Sequence, residues 1–246
     1  MNVIRADNYQ DMSQKAAAFL IQHIRQSPRT TLGLATGGTP IGTYRELVKD
    51  HREQGTSYRG VTTVNLDEYV GLEEDHPNSY RYYMENHLFR EIDIDRHQTY
   101  LPDGRAEDLA AECQRYETLI RKVGGIDLQV LGIGRNGHIG FNEPGTPLHS
   151  RTHVVTLTSS TRQANARYFP SEEEMPTQAI TMGIATILDS RQILLLASGE
   201  DKAPAIQHLL EGKPNPDFPA SALIHHPRVT IVADNEALSG ATLVPS

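Results

Sequence analysis

Thr31-Leu32-Gly33-Leu34-Ala35-Thr36-Gly37-Gly38-Thr39-Pro40 contains the transition that decides the fold. A short, mostly apolar run bounded by glycines has the length and setting of a buried strand. Pro40 fits the first position of a following helix, with Thr39 as its cap, because proline lacks an N–H that no helix uses there. Tyr44, Leu47 and Val48 then supply that helix with a buried face. A strand that passes through a glycine turn into a helix is the repeating unit of an α/β sheet.

The same alternation extends in both directions. Met12, Ala16, Leu20 and Ile24 fall four apart and predict an amphipathic helix ahead of the first strand, and Leu109, Cys113, Tyr116 and Ile120 predict another. Further strands are predicted at Val61–Leu66, Ile126–Leu131, Gln192–Ala197 and Val229–Ala233. Ser198 and Asp201 have capping-box spacing at the start of one more helix. Several of the strand runs are apolar on both faces, as parallel strands covered by helices above and below must be. The expected fold class is α/β with a mostly parallel sheet.

Composition narrows the function. The 246 residues carry 23 basic and 31 acidic side chains, a formal charge of −8. A length near about 150 residues per domain allows one or two domains, and we expect a single α/β domain over residues 1–246. Such a chain buries roughly three quarters of its unfolded surface and needs no covalent staple. Its one cysteine, Cys113, has no internal partner, which fits a reducing compartment. No apolar run approaches the ~20 residues of a bilayer span, and the first residues do not open a signal peptide. The acidic balance without a lysine/arginine block argues against nucleic acid. The expectation is a cytoplasmic protein that acts on a small molecule.

In open parallel sheets ligands bind beyond the carboxyl ends of the strands. Four such ends deliver polar, glycine-rich segments: Thr36–Thr39, Asp67-Glu68, Gly134–His138 and Ser198–Lys202. Gly37 and Gly38 suit a tight turn that presents N–H groups to an anion, and Lys202 adds a charge from a second direction. Together they suggest a phosphate monoester; singly, each is also a plain turn or a solvated lysine. Gly132-Ile133-Gly134-Arg135-Asn136-Gly137 matches GxGxxG, but helix breakers follow it and no acidic residue occurs from Pro144 to Arg167, so a dinucleotide is not expected.

Asn136, His138 and Glu143 lie within eight positions, a compact proton-handling set, and Asp67 offers a separate carboxylate base. Among the 11 histidines, His149/His153 run into a β-like segment and His225-His226 are adjacent, so no metal site is expected. Glu91–Asp95 lacks the glycine of a calcium loop, and Ser159-Ser160-Thr161 has no nucleophile elbow. Tyr168–Thr177, with Pro170 and Pro176, is a candidate flexible cover.

Three segments resemble a known family. Leu34–Pro40, Asn65-Leu66-Asp67-Glu68-Tyr69-Val70-Gly71-Leu72 and Gly132–Pro144 look like the glucosamine-6-phosphate deaminases, in order over nearly the whole chain, including Ser150-Arg151-Thr152, Thr161–Arg167 and Lys202. The resemblance implies a three-layer α/β/α, Rossmann-like fold related to sugar-phosphate isomerases and 6-phosphogluconolactonase. It also implies isomerising C–N hydrolysis of glucosamine 6-phosphate to fructose 6-phosphate and ammonia, with no organic cofactor. By position, Asp67 resembles the base at C2, and His138 the ring-opening group supported by Glu143 and Asn136. Thr36, Gly37, Gly38, Thr39, Arg167 and Lys202 match the phosphate site.

Two departures stand out. Some members carry aspartate at position 136, so the neutral Asn136 is expected to leave more of the charge stabilisation to Glu143. Hexameric members activated by N-acetylglucosamine 6-phosphate use basic residues where this chain has His153 and Val155, so no such activation and a monomer or small homo-oligomer are expected. The alternatives are a lactonase of the same fold, which needs no base at Asp67, and a sugar-phosphate sensor without turnover.

Overall fold

The run that begins at Thr31 forms β2 (Thr31–Leu34), placed inside a sheet rather than at its edge. The computed structural model describes residues 1–158, 162, 169, 171 and 174–241. Its strands are β1 (Asn2–Ala6), β2, β3 (Thr62–Asn65), β4 (Asp67–Tyr69), β5 (Thr99–Tyr100), β6 (Leu128–Gly132), β7 (His153–Thr156), β8 (Gln178–Thr181), β9 (Ile193–Ala197) and β10 (Val229–Asp234). The helices between them are α1 (Tyr9–Gln26), α2 (Ile41–Gln54), α3 (Tyr80–His87), α4 (Leu109–Lys122), α5 (Ile184–Leu188) and α6 (Ala203–Leu210).

Among the described residues, seven strands form one sheet in the order β1-β10-β9-β6-β2-β3-β5, and all their pairings are parallel. β9 and β10 are buried along their whole length, so helices cover both faces and the architecture is three-layered α/β/α. From β2 the chain builds outward through β3 and β5, and from β6 it builds the other way through β9 and β10. The order therefore reverses between β2 and β6, where the carboxyl ends open a crevice. Helix α1 shows how directly the sequence sets the packing. Met12, Ala16, Leu20 and Ile24 are at most 1 % exposed, and Asn8 caps the helix by accepting the Asp11 N–H.

The periodicity of the sequence does not signal a second sheet, yet one is present. β4, β8 and β7 pair antiparallel in that order, with Asp67 opposite Thr181. Leu66 joins the two sheets. Its N–H donates to the Leu34 carbonyl at 3.0 Å, and its own carbonyl accepts the Met182 N–H at 2.7 Å. The run predicted over Val61–Leu66 is thus cut short at Asn65, and the chain changes partners just before Asp67.

Two predicted caps are corrected. Thr39 makes no capping hydrogen bond; α2 begins at Ile41, with Pro40 accepting its first main-chain bond from Tyr44. Ser198 and Asp201 do not form a capping box. Asp234, at the end of β10, instead accepts from the Ser198 hydroxyl and from the Gly199 N–H at 3.1 Å, while Asp201 turns to Arg135. Cys113 is buried on α4, as its position on the apolar face requires. Among the described residues no helix is long and apolar enough to cross a membrane.

β2 and β6 bound the crevice, and their spacing rests on a glycine. Gly33 lies opposite Gln129, whose buried side chain covers it: a Cβ there would stand 2.0 Å from Gln129 Oε1. We expect Gly33→Ala to lower stability by about 1–3 kcal/mol in denaturant unfolding through overpacking. Gln129→Ala should restore part of that loss in the double variant, and a cycle showing simple additivity would contradict this contact.

Candidate active site

The segments leaving β2, β3, β6 and β9 meet around one cavity of about 710 Å³. It is lined by Thr36, Gly37 and Thr39 after β2, by Asp67 at the seam, by Asn136 and His138 after β6, and by Lys202 after β9. Residues spread along the chain from Thr36 to Lys202 therefore converge at the point where the strand order reverses. Gly38 is in the same turn but does not line the cavity, and Arg167 lies outside the described residues, as do Tyr168, Pro170, Glu172 and Glu173 of the Tyr168–Thr177 stretch.

The turn after β2 is held by three tyrosines. Tyr44 donates to the Ala35 carbonyl at 2.6 Å, Tyr83 to Gly37 at 2.6 Å and Tyr9 to Gly38 at 3.1 Å. Gly37 has φ +93°, a left-handed conformation that a side chain would strain. With the carbonyls engaged, the N–H groups of Gly37, Gly38 and Thr39 have no hydrogen-bond partner among the described residues. A turn with its acceptors occupied and its donors unoccupied is suited to an anion. Lys202 adds a partly buried cation whose proton is held less firmly than usual because of burial, an effect that Asp201 opposes and Arg135 reinforces. Asp201 lies between these two cations, 2.9 Å from Arg135 Nε and 3.8 Å from Lys202 Nζ.

Asp67 is 6 % exposed, and its carboxylate has no hydrogen-bond partner among the described residues. Burial, helped by the neighbouring Glu68 charge, pushes its proton affinity up to about 8. A carboxylate that is neither solvated nor paired holds a proton far more strongly than an ordinary aspartate. Gly140 brings the opposing loop close: its Cβ position would lie 3.6 Å from Asp67 Oδ2. That loop is fastened to Thr181 at the end of β8 and to Met182 beyond it. Thr181 Oγ1 accepts the Phe141 N–H at 3.1 Å, and Asn142 Nδ2 donates to both Ile139 and Met182 carbonyls at 2.8 Å.

His138 and Glu143 do not hydrogen-bond directly; Nδ1 and the nearer carboxylate oxygen are 3.8 Å apart. Asn136 stands between them. Its amide Nδ2 donates to Glu143 at 2.7 Å, and its Oδ1 lies 2.7 Å from His138 Nδ1. An amide oxygen only accepts, so Nδ1 must carry the ring proton and Nε2 is left as the accepting nitrogen. Both residues expected to support the imidazole are therefore beside it: Asn136 by a hydrogen bond, and Glu143 by its charge and by fixing Asn136. Burial holds the His138 proton affinity below its usual value; Glu143 opposes this and Lys202 adds to it.

Tyr80, Phe141, Arg135 and Asp201 also line the cavity, and the sequence patterns do not mark them as site residues. Arg135 and Phe141 sit inside the glycine-rich segment after β6, so their position is readable there. Tyr80 carries no such signal; it arrives because Ser79 starts α3 by accepting the Tyr82 N–H. Its ring lies parallel to Phe141 (5°, centroids 6.2 Å apart) and its hydroxyl meets Thr36 and Tyr69.

Residues 5–232 match the family model for glucosamine-6-phosphate isomerases/6-phosphogluconolactonase. A glucosamine-6-phosphate deaminase of Geobacillus sp. (strain WCH70) is 62 % identical over 100 % of this chain and 96 % of that protein. Glucosamine-6-phosphate deaminase 1 of Bacillus subtilis (strain 168) is 55 % identical over 97 % and 99 %. A solved monomeric glucosamine-6-phosphate deaminase superposes with TM-score 0.96 at 55 % identity, covering 98 % of this chain and all of that one. A 6-phosphogluconolactonase from Trypanosoma cruzi shares the fold at TM-score 0.81 but only 19 % identity, covering 98 % and 97 %. With the model spanning most of its length and its relatives matching it end to end, the chain belongs to the glucosamine-6-phosphate isomerase/6-phosphogluconolactonase family.

Proposed function

We propose that this chain converts glucosamine 6-phosphate and water to fructose 6-phosphate and ammonia, an isomerisation coupled to C–N bond hydrolysis. The observation that carries it is the buried, unpartnered carboxylate of Asp67 in the same cavity as the Asn136–His138 pair. An ester hydrolase removes no carbon-bound proton and so needs no base at C2. Relatives that are deaminases at 55–62 % identity support the same chemistry.

The phosphate is held by the N–H groups of the Gly37–Thr39 turn, the Thr36 and Thr39 hydroxyls, Lys202 and Arg167. His138 takes the O1 proton at Nε2 and returns it to O5, which opens the ring; Asn136 fixes the tautomer and Glu143 fixes Asn136. Asp67 removes the C2 proton to give an enolamine and delivers it to C1, leaving a C2 ketimine. Water adds at C2, the C2–N bond breaks, and ammonia departs. Clamping the phosphate makes the encounter of Asp67 and C2 effectively intramolecular.

We place the reaction in the cytoplasm and read the protein as a monomer or small homo-oligomer. His153 and Val155 offer no second cationic phosphate site, and His153 Nδ1 is engaged with the Arg151 carbonyl at 2.7 Å. Hyperbolic kinetics, unchanged by N-acetylglucosamine 6-phosphate, are the expected result; a sigmoidal curve relieved by that compound would contradict it.

Asp67→Asn tests the base. Ammonia release should fall about 10²–10⁴-fold, the usual worth of a positioned general base, while KM changes little. Retained turnover of a 6-phosphogluconolactone would favour the lactonase, and binding without ammonia release from the unaltered protein would favour a sensor. The pH profile gives an independent check. Only the carboxylate form of Asp67 accepts the C2 proton, so kcat/KM should fall about tenfold per pH unit below about 8, far above the range of an ordinary aspartate. An acid limb near pH 4 would exclude the buried base.

A further inference from the structure

Glu68 follows the base in sequence, on the other side of the strand, and is 5 % exposed. Its carboxylate is held by main-chain donors. Oε1 accepts the Tyr69 N–H at 2.8 Å and the Tyr80 N–H at 2.9 Å, and Oε2 accepts the Arg81 N–H at 2.9 Å. The last two are first-turn donors of α3, which no residue of the helix can satisfy. The Arg81 guanidinium turns away to Thr99, donating to its hydroxyl at 2.9 Å and its carbonyl at 3.0 Å. One buried carboxylate thus ties the strand that carries Asp67 to the helix that carries Tyr80.

We propose that Glu68 is a positioning residue for the proposed reaction: it locks the first turn of α3 onto β4, which fixes the Tyr80 wall, and it supplies the fixed negative charge beside which Asp67 works. Three N–H donors and the α3 terminus favour the ionised form of Glu68 and oppose the burial that raises it to about 7, whereas no donor holds the carboxylate of Asp67 among the described residues. Asp67 then sits next to an anion whose charge the Arg81 guanidinium steadies from a distance, while Asp67 itself has no cation bonded to it among the described residues. The other groups that face it are Tyr80 from α3 and Tyr116 from α4, both neutral because burial holds their protons. β8 contributes the unionisable Thr181, and His138 and Lys202 lie in the same cavity. Removing the Glu68 charge should make Asp67 a weaker base that ionises at lower pH.

The inference rests on Asp67 being the base, so its test includes a readout that does not need turnover. In Glu68→Gln, carboxyl ¹³C NMR should show Asp67 titrating about one pH unit lower than in the unaltered protein. The acid limb of kcat/KM should move down by the same amount while the plateau falls. Glu68→Asp keeps the charge but shortens the tether: Asp67 should titrate within about 0.3 unit of its original position, with kcat reduced. An unmoved Asp67 titration in Glu68→Gln would overturn the electrostatic role, and an unchanged plateau in both variants would overturn the positioning role. Should Glu68→Gln fail to fold, an Asp67 titration that moves down in Glu68→Asp would still refute the inference. A shifted Asp67 titration in a protein that releases no ammonia would instead separate a sound Glu68 from a mistaken function.

Discussion

The structure depends on the change of partners at Leu66, which gives its N–H to the parallel sheet and its carbonyl to the antiparallel one. A strand that ended at Asn65 would let Asp67 swing into solvent, and one that continued in the large sheet would place it in a ladder beneath helices. Because the chain crosses from one sheet to the other in a single residue, the carboxylate is held at the seam with protein around it and the cavity before it. Residues on both sides of the seam, Leu66 and Thr181, are buried. The seam is therefore a rigid mount for a group that would otherwise prefer water.

Burying an unpaired carboxylate costs free energy, and proteins usually avoid the cost by hydrogen bonds or a nearby cation. Neither is present at Asp67 among the described residues, so the molecule adopts the remaining option and holds a proton there. In the proposed reaction the missing counter-charge arrives with the substrate, whose C2 ammonium neighbours the proton to be removed. A cation at that point favours ionisation of Asp67 at the moment a base is needed. In that reaction the site is matched to an amino sugar in its electrostatics, and a neutral hydroxyl at C2 would not relieve the burial in the same way.

The legible parts of the sequence were those whose cause is local. β9 reads as a strand because Ile193–Ala197 is buried on both faces and so apolar at every position. The second sheet was invisible because Asp67-Glu68-Tyr69 and Gln178–Thr181 are short and polar at their ends, and become strands only by pairing across more than a hundred positions. The predicted capping box failed for a related reason: Asp234, 36 positions beyond Ser198, takes the Ser198 hydroxyl that local spacing had aimed at the helix, and Asp201 bonds Arg135 instead. Asp67, His138 and Lys202 were legible because parallel sheets present their loops on one side. Tyr80 was not, since it reaches the cavity only through Glu68 and the start of α3.

Asn136 shows how one neutral side chain sets the direction of a proton relay. A carboxylate at this position would accept from His138 but would also face the Glu143 carboxylate, 2.7 Å from the present amide nitrogen, and one of the two would have to hold a proton. The amide removes that conflict, because one end donates to Glu143 and the other accepts from His138. Burial and Lys202 favour the neutral imidazole with Nε2 bare, and Glu143 opposes them. Such a ring is better prepared to take the first proton than to give one.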